Sequence, residues 1–159
     1  MIRQATTEDL EQIMQIYAYA RSFMAANGNP TQWGDGYPPR QMIEDDIKKG
    51  ELYVLAENDR VQAVFLFFVG TDETYLKIEN GSWMSDAPYG VIHRVAAGAG
   101  VHGVVGKVVA YCFEQIPHLR MDTHADNKVM QHQLEKNGFE KCGIIYVRDG
   151  SPRIAYEKR

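Results

Sequence analysis

The sequence predicts a mixed α/β fold, one layer of sheet flanked by helices, and three observations lead there. Leu10, Ile13, Met14, Tyr17, Ala20 and Met24 recur at helical spacing, the pattern of an amphipathic helix. Phe65, Leu66, Phe67 and Phe68 form a continuous apolar run, as in a central strand covered on both faces. Turn residues cut the rest into short segments ordered strand, two helices, several strands, helix, strand, helix and two final strands. With 45% hydrophobic and 24% charged residues in 159 positions, residues 1–159 are expected to form a single domain with a real core.

The elements follow in order. Ile2–Ala5 reads as a short strand, and Thr6 with Asp9 forms a capping box opening the first helix. That helix should end near Asn27-Gly28, with Pro30 just beyond. Asn29–Pro39 is too rich in Gly and Pro for regular structure, and Arg40–Lys48 forms the second helix around Met42, Ile43 and Ile47. Glu51–Glu57 and Arg60–Val69 pair as a hairpin through Asn58-Asp59. The pattern then weakens, leaving a short strand at Tyr75–Ile78 and a loop around Trp83. Val91–Ala96 is a strand, and the glycine-bearing stretch Gly98–Gly106 leads into a helix with Val108, Val109, Cys112 and Phe113 that stops near Pro117. Leu119–Thr123 is a strand and Asn127–Asn137 a helix closed by Gly138. Phe139–Val147 and Arg153–Glu157 end the chain as strands joined by a turn at Asp149-Gly150.

Composition narrows the function classes. A net charge of -4 with no Lys/Arg run offers no electrostatic basis for nucleic acid as a partner. The most apolar stretch, residues 63–70, is too short to span a bilayer, and the N-terminus lacks the pattern of a signal peptide. Cys112 and Cys142 have neither disulfide-framework nor zinc spacing, so buried free thiols and no metal are expected. A cytoplasmic protein without membrane attachment is the expectation.

Two segments carry chemistry. In Val91–Lys107 a strand enters a glycine-rich turn and then a helix, which gathers backbone N–H groups and the positive helix end at one point. Such a turn suits a phosphate, or is simply a tight connection; the loop alone supports both. The second segment, Met121–Asn127 followed by Leu134–Phe139, reads as strand, loop, helix, glycine stop and strand.

This second segment resembles the GNAT superfamily of acetyl-CoA-dependent N-acetyltransferases. There an Asn opens the fourth helix and a Gly-Phe pair closes it eleven and twelve residues later, a spacing held by Asn127, Gly138 and Phe139. The glycine turn aligns without gaps to the family's pattern Arg/Gln-x-x-Gly-x-Gly/Ala, with Val95 as the strand-end hydrophobe and Gly103 as the central glycine. It departs at Gly100, where the family has Arg or Gln, and at Val105, with Gly106 one position late.

The resemblance implies a GNAT-like acyl-CoA N-acyltransferase fold, a central, mostly antiparallel sheet with splayed fourth and fifth strands. Acetyl-CoA would be the cosubstrate. Its pantetheine arm would follow the backbone of Arg94, Val95 and Ala96, with Asn127 in support. The pyrophosphate would lie over Val101, His102, Gly103, Val104, Val105 and Gly106, with His102 or Lys107 restoring positive charge.

Direct transfer needs a deprotonated amine, a stabilised oxyanion and a tolerable leaving group. A thiolate of pKa about 8.5 already leaves well. The family's general-acid Tyr, seven residues after the Asn, falls on Leu134; Tyr146 and Tyr156 are substitutes, or packing residues. His93 is the candidate base, or a hydrogen-bonded strand histidine. Asp122 and His124 would relay a proton, or cap the next helix, and His132 belongs to the surface.

Gln32, Trp33, Asp35 and Tyr37 suit a cationic amine through ring and charge contacts, unless Trp33 only anchors its loop; Trp83 would close the other side. The expected partners are a small-molecule or peptide amine acceptor and, as for many relatives, a second copy paired through sheet edges. The function read here is N-acetyl transfer to a primary amine. Two other classes stay open: a non-catalytic acyl-CoA-binding or regulatory protein on the same fold, and an unrelated α/β domain for another phosphate-bearing ligand.

Overall fold

The computed structural model describes residues 1–159. The elements are β1 (Ile2–Gln4), α1 (Leu10–Ala26), α2 (Arg40–Lys48), β2 (Leu52–Glu57), β3 (Arg60–Val69), β4 (Gly90–Ala97), α3 (Val104–Gln115), β5 (Leu119–Thr123), α4 (Lys128–Lys136), β6 (Glu140–Tyr146) and β7 (Pro152–Lys158). The strands follow the order β1-β2-β3-β4-β5-β7-β6 in a seven-stranded sheet. Two compact units divide the chain: Met1–Phe67 with Arg94–Val104, and Phe68–His93 with Val105–Arg159. No helix is long and apolar enough to cross a membrane.

In the first unit, the Asp9 carboxylate accepts from the Thr6 backbone N–H (2.8 Å) and from both terminal nitrogens of Arg3 (2.8 and 3.0 Å). The Arg3 hydrogen bond holds that carboxyl below its ordinary value. The chain thus enters α1 at a fixed angle, and Leu10, Ile13, Ile16 and Tyr17 form its buried face. Asn58 and Asp59 both take positive φ (50° and 61°), the geometry of a two-residue hairpin turn that suits Asn and Asp. β2 and β3 pair antiparallel across it. Ala63 to Phe67 are buried without interruption, as expected for a strand covered on both faces.

In the second unit, β4 and β5 run parallel but pair only at Gly90–Leu119 and Val91–Arg120. Ile92 and His93 lie beyond that ladder, whereas β5 continues to Thr123 along β7. This is the splay of the fourth and fifth strands. β5 with β7 and β6 with β7 are antiparallel.

The strand expected at Tyr75–Ile78 is absent. Residues Glu73–Tyr75 instead form a 3₁₀ turn, because Asp72 Oδ1 accepts from both Thr74 N (2.9 Å) and Thr74 Oγ1 (2.6 Å). The turn drives Tyr75 into a cluster with Tyr89, Val91, Ile145 and Ala155. Only Glu79 touches the sheet as a strand would, bridging Ile144. Glycine makes that approach tolerable: a Cβ on Gly81 would lie 1.9 Å from the Cys142 carbonyl oxygen.

Glu157 on β7 is fully buried and accepts at both oxygens. Oε2 lies 2.6 Å from His118 Nε2 and accepts from Arg120 Nε (2.9 Å), while Oε1 accepts from Met84 N (2.5 Å). Burial alone would raise its pKa; the donors, His118 foremost, outweigh burial and hold it below the ordinary value. The Arg120 guanidinium lies 4.1 Å from the ring centroids of both Trp83 and Tyr89 and donates to the Ser85 carbonyl (2.6 Å). His118 Nδ1 sits 3.0 Å from the Pro88 carbonyl. Segment 83–89 is therefore held by side chains from β5, β7 and the turn before β5. Both cysteines are free and buried; burial pushes the Cys112 thiol up to about 12 and the Cys142 thiol up to about 11.

Removing one member of a buried ion cluster typically costs about 3–5 kcal/mol. Glu157→Gln should lower unfolding stability by about that amount in urea titration. A loss under about 1 kcal/mol would show that this cluster does not hold the segment.

Candidate active site

β4 carries four of the residues singled out from the sequence in consecutive positions, His93, Arg94, Val95 and Ala96. The His93 side chain keeps 25% of its surface exposed, and its Nε2 lies 2.7 Å from Asp72 Oδ2. Its Nδ1 lies 3.8 Å from Asp122 Oδ2 on β5. The buried Tyr75 hydroxyl donates to that same Asp122 oxygen at 2.6 Å, and the Tyr75 and His93 rings are 5.9 Å apart. Burial and then Asp122 push the Tyr75 phenol well above its ordinary value, so it stays a donor. Burial works against ionised Asp72, but hydrogen bonds from His93 and Thr74 outweigh it and lower its pKa to about 2.

His93 and Asp122 are thus brought together as expected. Asp72 and Tyr75 were missed. The Asp72-x-Thr74 spacing is the one sequence signal that marks this turn, through the Asx hydrogen bond it makes.

Arg94 adopts φ 52°, left-handed and unusual for a strand arginine. In the first unit its carbonyl accepts from the Tyr17 hydroxyl (2.9 Å), and its guanidinium pairs with Asp46 of α2. Its Nε is buried without a partner. Val95 is half-buried and Ala96 buried.

Downstream, Gly98 N donates to Gln62 O (2.9 Å) and Val101 N to Gly98 O (3.1 Å), closing a turn. Gly100 and Gly103 take φ 74° and 73°, and a Cβ on either would meet no atom within 4 Å. The amides of Val104, Val105 and Gly106 open α3, where no intrahelical acceptor exists, and the first turn carries no acidic side chain. His102 and Lys107 are exposed beside it. This open backbone with unopposed N–H groups fits the diphosphate of an acyl-CoA. Gly106 has a packing role as well, since a Cβ there would lie 3.3 Å from Asn137 Oδ1.

Asn127 caps α4, its Oδ1 accepting from Met130 N at 3.0 Å. His124 Nδ1 accepts from Asp126 N (2.9 Å) in the turn that precedes α4. Leu134, at the family's tyrosine position, is fully buried. Tyr156 is buried and donates to Glu135 (3.1 Å), while Tyr146 ends β6 opposite Pro152, 40% exposed.

Trp33 packs edge-on against Tyr17 (5.6 Å between centroids) and tilted against Tyr37 (6.4 Å), with Asp35 exposed in the same loop. Trp83 donates from Nε1 to the Tyr75 carbonyl (2.8 Å) and packs 5.3 Å from the Tyr75 ring. It anchors the turn that carries Asp72 and Tyr75.

Splayed parallel strands followed by a glycine turn and a helix define the acyl-CoA N-acyltransferase class of fold. A GNAT-family acetyltransferase from Streptococcus agalactiae superposes with a TM-score of 0.90 at 34% identity, over 99% of this chain and 94% of that one. A proposed acetyltransferase from Staphylococcus aureus gives 0.74 at 27% identity, over 100% and 98%. The fold is shared with a ribosomal-protein-alanine N-acetyltransferase from Brucella melitensis, at a TM-score of 0.65 and 18% identity over 99% and 98%. Neither a protein-family model nor a curated protein sequence matches the chain. The chain belongs to the GNAT acetyltransferase family.

Asp72 yields a pH prediction. A depressed carboxylate stabilises the fold fully above its ordinary value of 3.8, and the contribution is lost as pH falls through about 2. Asp72→Asn should cost about 2 kcal/mol at pH 7, a gap that narrows below pH of about 4. Urea titrations of both proteins across that range would show it; a gap independent of pH would contradict the assignment.

Proposed function

We propose that the protein transfers an acetyl group from acetyl-CoA to a primary amine by direct attack, with His93 taking the amine's proton. The observation that carries this reading is His93 between two carboxylates on the strand that leads directly into the open glycine turn and α3. Bound acetyl-CoA supplies an activated thioester carbonyl. The turn Val101–Gly106 would hold its diphosphate, with His102 or Lys107 adding positive charge, and the backbone of Arg94, Val95 and Ala96 and the α4 cap at Asn127 would support the pantetheine arm. Trp33, Asp35 and Tyr37 would receive the acceptor as a cation over aromatic faces. Holding the amine against the thioester supplies much of the rate, and a thiolate of pKa about 8.5 leaves without an obligatory acid.

A second reading, a non-catalytic acyl-CoA-binding protein, draws on Leu134, whose complete burial leaves no phenol at the family's acid position.

A thermal-shift comparison of acetyl-CoA, CoA and ATP tests binding: at 100-fold over Kd, a ligand of the native state adds about 2.7 kcal/mol. Acetyl-CoA and CoA should raise the midpoint and ATP should not; no shift with either CoA species would refute both readings. Thiol release over a panel of amines then separates enzyme from binder. His93→Ala should lower kcat by about 100-fold or more and remove the acidic limb of the pH profile. An unchanged rate and profile would take His93 out of the base role.

A further inference from the structure

We propose that Asp72 is a positioning residue that fixes the tautomer of His93, leaving Nδ1, the nitrogen facing Asp122, as the atom that accepts the proton. The proposal rests on the reading of His93 as the base and adds which nitrogen acts and what selects it.

Asp72 Oδ2 lies 2.7 Å from His93 Nε2. An ionised carboxylate only accepts hydrogen bonds, so at this distance the hydrogen resides on Nε2. The opposite tautomer would set the Nε2 lone pair against an anion. The carboxylate is also kept from rotating. Its other oxygen accepts from Thr74 N (2.9 Å) and Thr74 Oγ1 (2.6 Å), and the Asp72 backbone N–H donates to the Tyr89 hydroxyl (3.1 Å). Tyr89 is itself packed under Arg120.

The remaining nitrogen has no hydrogen bond from these groups. Asp122 Oδ2 is 3.8 Å from Nδ1, too far for one, and already accepts from Tyr75. Asp72, Asp122 and Tyr75 are the titratable side chains facing the ring; Arg94, next along β4, is committed to Asp46. In the proposed step an amine N–H bond breaks and an Nδ1–H bond forms. The Nε2–H stays in place and Asp72 remains ionised. The resulting imidazolium lies between two carboxylates, which favour its charge.

Thr74 makes the test sharp. In Asp72→Asn the two Thr74 donors still require the side-chain oxygen, so the amide NH2 turns toward His93 Nε2. That nitrogen must then accept, and the hydrogen moves to Nδ1. Two-bond ¹H–¹⁵N correlation spectra of the ligand-free protein read this directly, with His93 assigned from the signal lost in His93→Ala. The expected result is Nε2–H in the native protein and Nδ1–H in Asp72→Asn. kcat should fall by about 100-fold or more, with the KM for acetyl-CoA changed less than about 2-fold. Asp72→Glu, which keeps the charge, should recover part of the rate.

Nδ1–H in the native protein overturns the proposal whether or not the variant folds, as does an unchanged tautomer in Asp72→Asn. Native kcat in Asp72→Asn, where His93→Ala is inactive, overturns it while sparing the base reading. Should His93→Ala retain full activity, the base reading fails and takes this one with it, even if the tautomer inverts.

Discussion

The second unit is organised around a carboxylate that water cannot reach. Glu157 carries its charge at zero exposure because three donors converge on it from segments far apart in sequence. A buried anion left unpaired is costly enough to forbid the fold, so this arrangement acts as a condition on native structure more than as a gain in stability. Once it is met, Met84, Ser85 and Pro88 have fixed backbones, Trp83 and Tyr89 bracket Arg120, and the 3₁₀ turn at Glu73–Tyr75 has a wall to pack against. Asp72 sits one residue before that turn. The aim of its carboxylate at His93 is thus inherited, through Tyr89 and Tyr75, from the charge cluster around Glu157.

The glycine turn and the His93 cluster are built by different means. The glycine turn and the start of α3 offer backbone groups, whose positions follow from φ values that glycine alone adopts without strain. At Gly100 and Gly103 a Cβ would meet no atom within 4 Å, so the backbone there stands open. The His93 cluster depends on side chains, and Asp72 is fixed by the bonds Thr74 makes to its second oxygen.

What was legible in the sequence divides along the same physical line. Local signals carried the Asn58-Asp59 hairpin, the α1 face, the covered strand at residues 63–67 and the Asn127 cap, because each depends on neighbours within a few positions. His93 and Asp122 were legible as residue types on strands that splay. The stretch between β3 and β4 was not. Its inward residues, Tyr75, Trp83 and Tyr89, follow neither helical nor strand spacing, and their partners lie on β5 and β7. Asp72 is 21 residues from His93, and Glu157 is 73 from Met84. Nothing periodic links such pairs, so an Asx turn read as a strand and a structural carboxylate read as the end of one.

Leu134 limits which side chains α4 can carry toward the interior. The family's tyrosine position is closed here by a leucine with no exposed surface. Placing a tyrosine there would enlarge a filled interior, at about 1–3 kcal/mol, and would bury a hydroxyl in need of a partner. A single substitution is therefore a poor way to place a phenol at this position.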